Sequence, residues 1–505
     1  MIREEIKKLI EKAVKELGFK LPEVLVEEPR EKAHGDYATN VAMMIGKEDP
    51  IKMAEMIKSK IKSNIIERIE IAKPGFINLF VSKEYLQKQV SEILKQKNKF
   101  GNLKIGKRGK INVEFVSANP TGPLTLGNGR GGFYGDVLAN VLEKAGYNVT
   151  REYYINDRGK QVEDLKKGLY KGEKRTVSQI QKENQKIITK KLKIKFDNWF
   201  SEESLYRNKE VDKILDWLKR KKLAYEKEGA LWFKSTKFGD DKDRVLVKAD
   251  DEKTYFASDL AYLKNKFGRG FDKLIFFWGA DHYGYVGRMK AAVEALGYKK
   301  EQADFIIMQL VRLFEKGKQV RMSKRTGTYV TLEELIDKVG LDVARFFFLT
   351  RSAGSHLNFD LDLAKEKSEK NPVYYVQYAN ARIHSILAKS KVKSPCLDGR
   401  REKSKIQIKN KKIFGLLNHP SELTLIKQLI RFPEVIEDTA KDYQVQRIPQ
   451  YAIDLATEFH KFYRDCRVIT KNKELSQARI SLISATQAVL KNTLNLMGIS
   501  TPEKM

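Results

Sequence analysis

Apolar side chains return every three or four residues near the start of the chain, at Ile6, Leu9, Ile10, Ala13, Val14 and Leu17, and the run stops at Gly18. That period predicts an amphipathic opening helix closed by a glycine. Residues 24–26, between Pro22 and Pro29, predict a short strand, and residues 76–81, after the Pro74-Gly75 turn, a second. The glycine- and lysine-rich stretch 101–110 predicts a linker, so a small α+β domain is expected over residues 1–105.

From Lys110 the rhythm changes. Strand-like runs at 111–116, 149–154, 274–278 and 305–308 alternate with a helical pattern over 129–145. This is the order of βαβ units and predicts a parallel sheet with ligands at the carboxyl ends of its strands. The charged segment 158–250 is expected as an insertion into this second domain, 106–365, and a basic loop follows at 318–328. Beyond it strand signals vanish. Ile448, Tyr451, Ala452, Leu455, Phe459, Phe462 and Cys466 form one helical stripe; Ile480, Ile483, Val489, Leu490, Leu494 and Met497 form another, ended by Gly498. The third domain, 366–505, is therefore expected to be all-α. Arg400, Arg401, Lys403, Lys405, Lys409, Lys411 and Lys412, after Asp398-Gly399, make a basic loop inside it, which either faces solvent or touches RNA.

Charge narrows the partner. Lys and Arg number 97 against 66 Asp and Glu, a net +31, which attracts polyanions; a proteome-wide basic bias is the bland alternative. Two cysteines, Cys396 and Cys466, exclude a disulfide scaffold and suit a reducing cytoplasm. The N-terminus lacks a signal-peptide pattern and no run of apolar residues is long enough for a membrane span, so a cytoplasmic protein without membrane contact is expected.

Two stretches carry chemistry. The first is Ser117-Ala118-Asn119-Pro120-Thr121-Gly122-Pro123-Leu124-Thr125-Leu126-Gly127-Asn128, a Gly/Pro-rich loop between a strand and a helix. There, free N–H groups and the helix dipole favour phosphate, although many such loops only turn the chain. It is not a Walker loop, since no Gly-Lys-Ser/Thr closes it. The second is Arg321-Met322-Ser323-Lys324-Arg325-Thr326-Gly327, whose cations can neutralise charge on a triphosphate leaving group; alone it reads as a basic surface loop.

Together the pair resembles the two signatures of class I aminoacyl-tRNA synthetases. Further stretches resemble the arginyl family: Arg151 to Asp157, Gly239 to Leu246, Tyr255-Phe256-Ala257-Ser258-Asp259, Trp278-Gly279-Ala280-Asp281-His282, and Asn371 to Ala379. The resemblance covers essentially the whole chain and is dense from 110 to 380. It implies a Rossmann-like catalytic domain, a small N-terminal tRNA-binding domain and a helical anticodon-binding bundle. The implied activity joins arginine to tRNA-Arg through arginyl-adenylate, with ATP as substrate, Mg2+ accompanying it, and bound tRNA required for activation. A monomer is expected.

One departure stands out. Where the family usually has His-X-Gly-His, this chain has Thr125-Leu126-Gly127-Asn128, which resembles some tryptophanyl members. Thr hydroxyl and Asn amide both donate, so phosphate binding can survive loss of the imidazoles. The alternative is a tRNA-binding paralogue with impaired catalysis. Another class I enzyme, the cysteinyl one, is disfavoured by its missing zinc ligands. By resemblance, Thr125, Gly127, Asn128 and Lys324 are catalytic. Ser117, Pro120, Gly122, Gly279, Asp281, Arg321, Met322 and Ser323 join them in binding ATP. Asp281 would accept from the ribose hydroxyls, or else cap a helix. Glu114, Asn119, Tyr255, Asp259 and His282 would bind arginine, with Tyr255 and Asp259 sharing a helix face at i and i+4. No resident metal site is expected. The motif His34-Gly35-Asp36-Tyr37-Ala38 is assigned to a domain gripping the tRNA elbow, and Tyr374, Tyr378, Phe459 and Tyr463 are candidates for stacking on anticodon bases.

Overall fold

The computed structural model describes residues 1–20, 23–46, 49–120, 122–166, 175–320, 330–390 and 411–505. The opening helix Ile2–Glu16 buries Ile6, Ile10, Ala13 and Val14, and Gly18 follows at φ 75°, as its spacing predicts. Residues 24–26 are not a strand. Val24 and Val26 are buried, but these residues form no bridge, and only the following Glu27 pairs, in an isolated bridge with Ala38. Its neighbour β1 (Tyr37–Thr39) is only three residues long and leaves little ladder to join. The N-terminal sheet is completed by β2 (Ile66–Ala72) and β3 (Phe76–Val81), in the antiparallel order β1-β3-β2. Polar Glu67, Arg68 and Glu70 disguise β2 as a loop in the sequence, because its outer side faces water.

The central sheet is all parallel. Its strands are β4 (Lys110–Glu114), β5 (Asn148–Ile155), β6 (Asn198–Ser201), then, after the antiparallel trio β7 (Ala224–Lys227), β8 (Ala230–Phe233) and β9 (Arg244–Val247), β10 (Lys273–Gly279) and β11 (Ala303–Met308). The order is β11-β10-β4-β5-β6. The chain leaves β4 toward β5 on one side and returns to β10 on the other, so a crevice opens at the ends of β4 and β10. Residues 158–250 are not a block apart from this sheet: β6 pairs with β5 from Glu152↔Asn198 to Ile155↔Ser201 and forms its edge. A third sheet, β13-β12-β14, contains β12 (Val311–Glu315), β13 (Lys318–Val320) and β14 (Leu357–Asp360). Thus the expected basic loop begins as a strand.

Helix Leu126–Lys144 crosses under the central sheet and buries most of its length. Its glycines make that approach possible. A Cβ on Gly135 would lie 2.4 Å from Phe115, and one on Gly129 2.4 Å from Leu332. After β14 the described residues form helices only. Both sequence stripes are buried, with Phe459, Phe462, Leu490 and Leu494 at 0% exposure. Cys466 is a buried free thiol. The basic run at 400–409, with Asp398-Gly399 and Cys396, lies outside the described residues; Lys411 and Lys412 open the short 3-10 helix Lys411–Leu416.

One buried cation ties the layers together. Arg345 donates to Asp136 (2.8 Å), to the Met497 carbonyl (2.9 Å) and to the Leu192 carbonyl (2.8 Å). Gly498, at φ 65°, leaves room for that guanidinium, which a Cβ there would approach to 2.5 Å. Replacing Arg345 by Met strands Asp136 and two carbonyls. It is expected to lower unfolding free energy by about 3–5 kcal/mol, measured as a reduced denaturant midpoint.

Candidate active site

The loop after β4 turns back sharply. Val116 and Ser117 sit at φ 70° and 36°, a conformation costly for a β-branched residue and stable only when neighbours enforce it. They do. The Ser117 hydroxyl accepts from the Tyr154 N–H (3.1 Å), its carbonyl accepts from Asn156 Nδ2 (2.9 Å), and the Tyr153 hydroxyl bonds Ala118. Farther along, the Gly122 carbonyl accepts from Asn184 (3.3 Å) and the Leu124 carbonyl from the Leu332 N–H (3.0 Å).

Thr125 then caps helix Leu126–Lys144. Its hydroxyl accepts from the Asn128 N–H (3.1 Å) and donates to Asn128 Oδ1 (2.8 Å), which also accepts from the Thr125 N–H (2.9 Å). This reciprocal box settles which end of Asn128 faces outward. The carbonyl oxygen must meet the backbone donor, so Nδ2 is left to the crevice. The Thr125 proton is already committed to Asn128. The two side chains are therefore not equivalent donors toward the crevice: Asn128 offers the amide, and Thr125 holds it.

The crevice, about 470 Å³, is lined by Thr125, Gly127 and Asn128 on one side and by Trp278, Gly279 and Asp281 on the other. Asp281 stands at the lip with its side chain 80% exposed, 3.2 Å from His282 Nδ1. It does not cap the 3-10 turn Ala280–Tyr285, whose cap position is Gly279. Ser117, Pro120 and Gly122 do not line the crevice; they shape the loop behind it. Thr121, Arg321, Met322, Ser323, Lys324 and Arg325 lie outside the described residues. What flanks the second signature is anchored: β13 precedes it, and Thr331, which caps helix Leu332–Val339, follows it.

Two acids lie near enough to act on each other's charge. Glu114 ends β4, and Asp259 lies on helix Tyr255–Gly268, where Tyr255 shares its face at the expected spacing. Glu114 is buried, and its Oε2 is occupied by Lys266 Nζ (2.7 Å) and the Tyr262 hydroxyl (2.8 Å). Asp259 Oδ2 accepts from the Tyr285 hydroxyl at 2.5 Å. The second oxygen of Glu114 meets the Ser117 hydroxyl at 3.4 Å, a longer bond than those on Oε2. Burial and the Glu114 charge push Asp259 up to about 6, against the pull of Tyr285, His282 and Arg288. A third acid, Glu202, is buried next to Ser258 (3.2 Å) and is raised to about 7 by burial and by Asp259. Tyr255 is 60% exposed, its hydroxyl resting over Gly159, where a Cβ would come within 2.2 Å. Asn119 is exposed on the loop.

Comparison with known proteins agrees with this geometry. Residues 3–81 match the arginyl tRNA synthetase N terminal domain, 89–179 and 163–346 the class I (R) tRNA synthetase catalytic domain, and 376–505 the DALR anticodon binding domain. An arginine–tRNA ligase of Halalkalibacterium halodurans is 44% identical, covering 100% of this chain and 98% of its own. One from Carboxydothermus hydrogenoformans is 44% identical over 97% and 95% of the two chains.

The chain belongs to the arginyl-tRNA synthetase family.

The fold agrees over the full length with the Thermus thermophilus arginyl-tRNA synthetase (TM-score 0.79, 21% identity, 100% of each chain covered). In this family setting, Tyr285, Glu202, Tyr262 and Lys266 are the site neighbours that sequence reasoning missed. Tyr262 and Lys266 follow Asp259 at +3 and +7, a spacing that places them on its helix face.

Two further cavities lie away from the crevice. In the helical region, Arg382 lies 4.8 Å from the ring centres of both Tyr378 and Tyr463. Around them a cavity of about 1010 Å³ is lined with Lys389, Arg464, Arg467 and Lys504. Tyr374 stacks on Tyr378 (6.4 Å, 7°). Phe459 is core. In the N-terminal region, Arg30, His34, Lys73 and Phe76 line a groove of about 520 Å³. The motif His34-Gly35-Asp36-Tyr37-Ala38 mostly serves structure: the Tyr37 hydroxyl donates to Glu434 (3.0 Å), and Asp36 pairs with Lys427 (2.7 Å).

Asp259 also marks stability. A carboxyl held above its ordinary 3.8 binds its proton more tightly folded than unfolded, so its contribution is present at low pH and is lost as pH rises through about 6. Asp259→Asn should therefore gain on the parent by about 2–3 kcal/mol as pH rises from roughly 4 to 7 without ligand, read by thermal unfolding.

Proposed function

We propose that the chain joins arginine to tRNA-Arg in two steps, both at the mouth of the β4–β10 crevice. The observation that carries this reading is the junction of two unlike subsites. A helix N-terminus with an outward amide suits phosphate, and two neighbouring acids, Glu114 with one oxygen held only by a long Ser117 bond and Asp259 held through Oδ2, suit a forked guanidinium. In the first step an arginine carboxylate oxygen bonds the α-phosphorus of ATP, the bond to the leaving phosphate breaks, and arginyl-adenylate and pyrophosphate result. Asn128 Nδ2 and the helix N-terminus receive charge that builds on the phosphates, and Gly127 keeps the approach open. Asp281 at the lip accepts from the ribose. Lys324, aided by Arg321 and Arg325, grips the leaving pyrophosphate, with Met322 and Ser323 carrying the same loop. Mg2+ arriving with ATP would supply further neutralisation of the phosphate charge, with no dedicated protein cage expected to hold it.

Glu114 and Asp259 take the guanidinium, Tyr255 covers it, and Asn119 and His282 lie toward its polar end. In the second step the 2′-hydroxyl of the terminal adenosine attacks the adenylate carbonyl and AMP leaves. The tRNA elbow rests on the Arg30–Phe76 groove, and anticodon bases stack at Tyr378 and Tyr463. The chain acts as a monomer in the cytoplasm, and arginine activation waits for bound tRNA. The catalytically impaired alternative draws no support from full-length relatives named arginine–tRNA ligase.

The deciding measurement is charging of tRNA-Arg with labelled arginine; binding of tRNA without any product would overturn the reading. Robust arginine-dependent ATP–pyrophosphate exchange without tRNA would contradict the ordered step alone. Asn128→Asp keeps an acceptor for the Thr125 N–H but puts a carboxylate oxygen where the amide was. It is expected to lower kcat by about 100-fold with the arginine KM little changed, measured under steady-state charging.

A further inference from the structure

Helix Tyr255–Gly268 does more than carry Asp259. Lys266, on the same face, is fully buried, with Nζ 2.7 Å from Glu114 Oε2, 3.3 Å from Glu152 Oε1 and 2.6 Å from Asn112 Oδ1. The Tyr262 hydroxyl lies 2.8 Å from Glu114 and 2.6 Å from Glu152, and its single proton serves one of them at a time. Arg269 closes on Glu152 from outside through two bonds, 2.5 and 2.9 Å. Glu114 and Glu152 are register partners on β4 and β5, so two carboxylates side by side face two cations, and the group carries no net charge. Two like charges at that depth repel and, without a cation, take up a proton between them.

We infer that Lys266, assisted by Tyr262, is a positioning residue for arginine selection. It fixes Glu114 by one oxygen and cancels its charge, so that the guanidinium meets a single aimed acceptor from Glu114 beside the uncompensated carboxylate of Asp259. The inference rests on the reading of Glu114 and Asp259 as the arginine site. The remaining groups facing these acids are the Ser117 hydroxyl toward Glu114 Oε1, Tyr154 on β5 toward both acids, and Tyr206, Tyr285, His282, Arg288 and Glu202 toward Asp259. None of them lies between Lys266 and Glu114, so the buried lysine acts on Glu114 directly.

The test is charging by the full chain across roughly pH 5–9, with arginine KM and kcat resolved. Lys266→Met is expected to raise the arginine KM by about tenfold at neutral pH, keep kcat within about twofold, and move the acidic limb of kcat/KM upward by about one unit. Adding Glu152→Gln, which removes one negative charge along with the positive one, restores the limb and most of the KM. An unmoved limb in Lys266→Met, or no rescue in the double variant, overturns the inference, because a lysine that merely fills space shows neither. If Lys266→Met does not fold, Tyr262→Phe replaces it, with an expected threefold or so rise in arginine KM and no shift of the limb; an unchanged KM there overturns the inference. Asp259→Asn separates the two levels. A raised arginine KM in Asp259→Asn with none in Lys266→Met defeats the lysine's role only, whereas no effect in either defeats the arginine site with it.

Discussion

A carboxylate at the carboxyl end of a central parallel strand is cut off from water, and it must be paired or protonated. Glu114 is in that position. Its neighbours on β5 and on helix Tyr255–Gly268 follow from this constraint: Glu152 would repel it, so Lys266 and Arg269 are set against both, and burial of Glu152 is outweighed until its carboxyl sits well below the usual range. Seven residues earlier on the same helix, Asp259 has no such cation in bonding range among the described residues and is pushed up to about 6. One helix thus carries both the lysine that neutralises Glu114 on β4 and the uncompensated Asp259.

The N-terminus of helix Leu126–Lys144 is built on the same economy of donors. Thr125 and Asn128 satisfy each other and the first free N–H groups of their helix, which aims the one amide nitrogen they do not use. Leu332 then locks this corner to the segment following the second signature, through the Leu124 carbonyl and through close packing on Gly129. The glycines of helix Leu126–Lys144 serve that packing more than they serve phosphate, since the crevice is lined by Gly127 and Gly131 while Gly129 and Gly135 face protein.

Farther out, the N-terminal region is held to the helical bundle by charge as well as by apolar contact. Arg3 reaches Glu437 and Asp438 (both 2.7 Å), and Tyr37 and the Arg3 N–H share Glu434, which burial raises to about 7. The N-terminal groove and the helical-region cavity therefore belong to regions in direct contact, and the string 34–38 takes part in the joint between them.

Repeating apolar stripes reported burial, so the opening helix, the parallel strands and the two long helices after residue 440 were legible from the chain alone, as was the family through its paired signatures. Which acid is neutral in effect, which of Thr125 and Asn128 keeps a donor toward the crevice, and that 198–201 closes the sheet while 24–26 does not were decided by tertiary structure. The physical reason is range. Periodicity records whether a side chain faces the core, a property set within a few residues. The partner that a strand edge, a carboxylate or an amide finds is set by contacts such as Glu114 with Lys266, 152 residues apart in the chain.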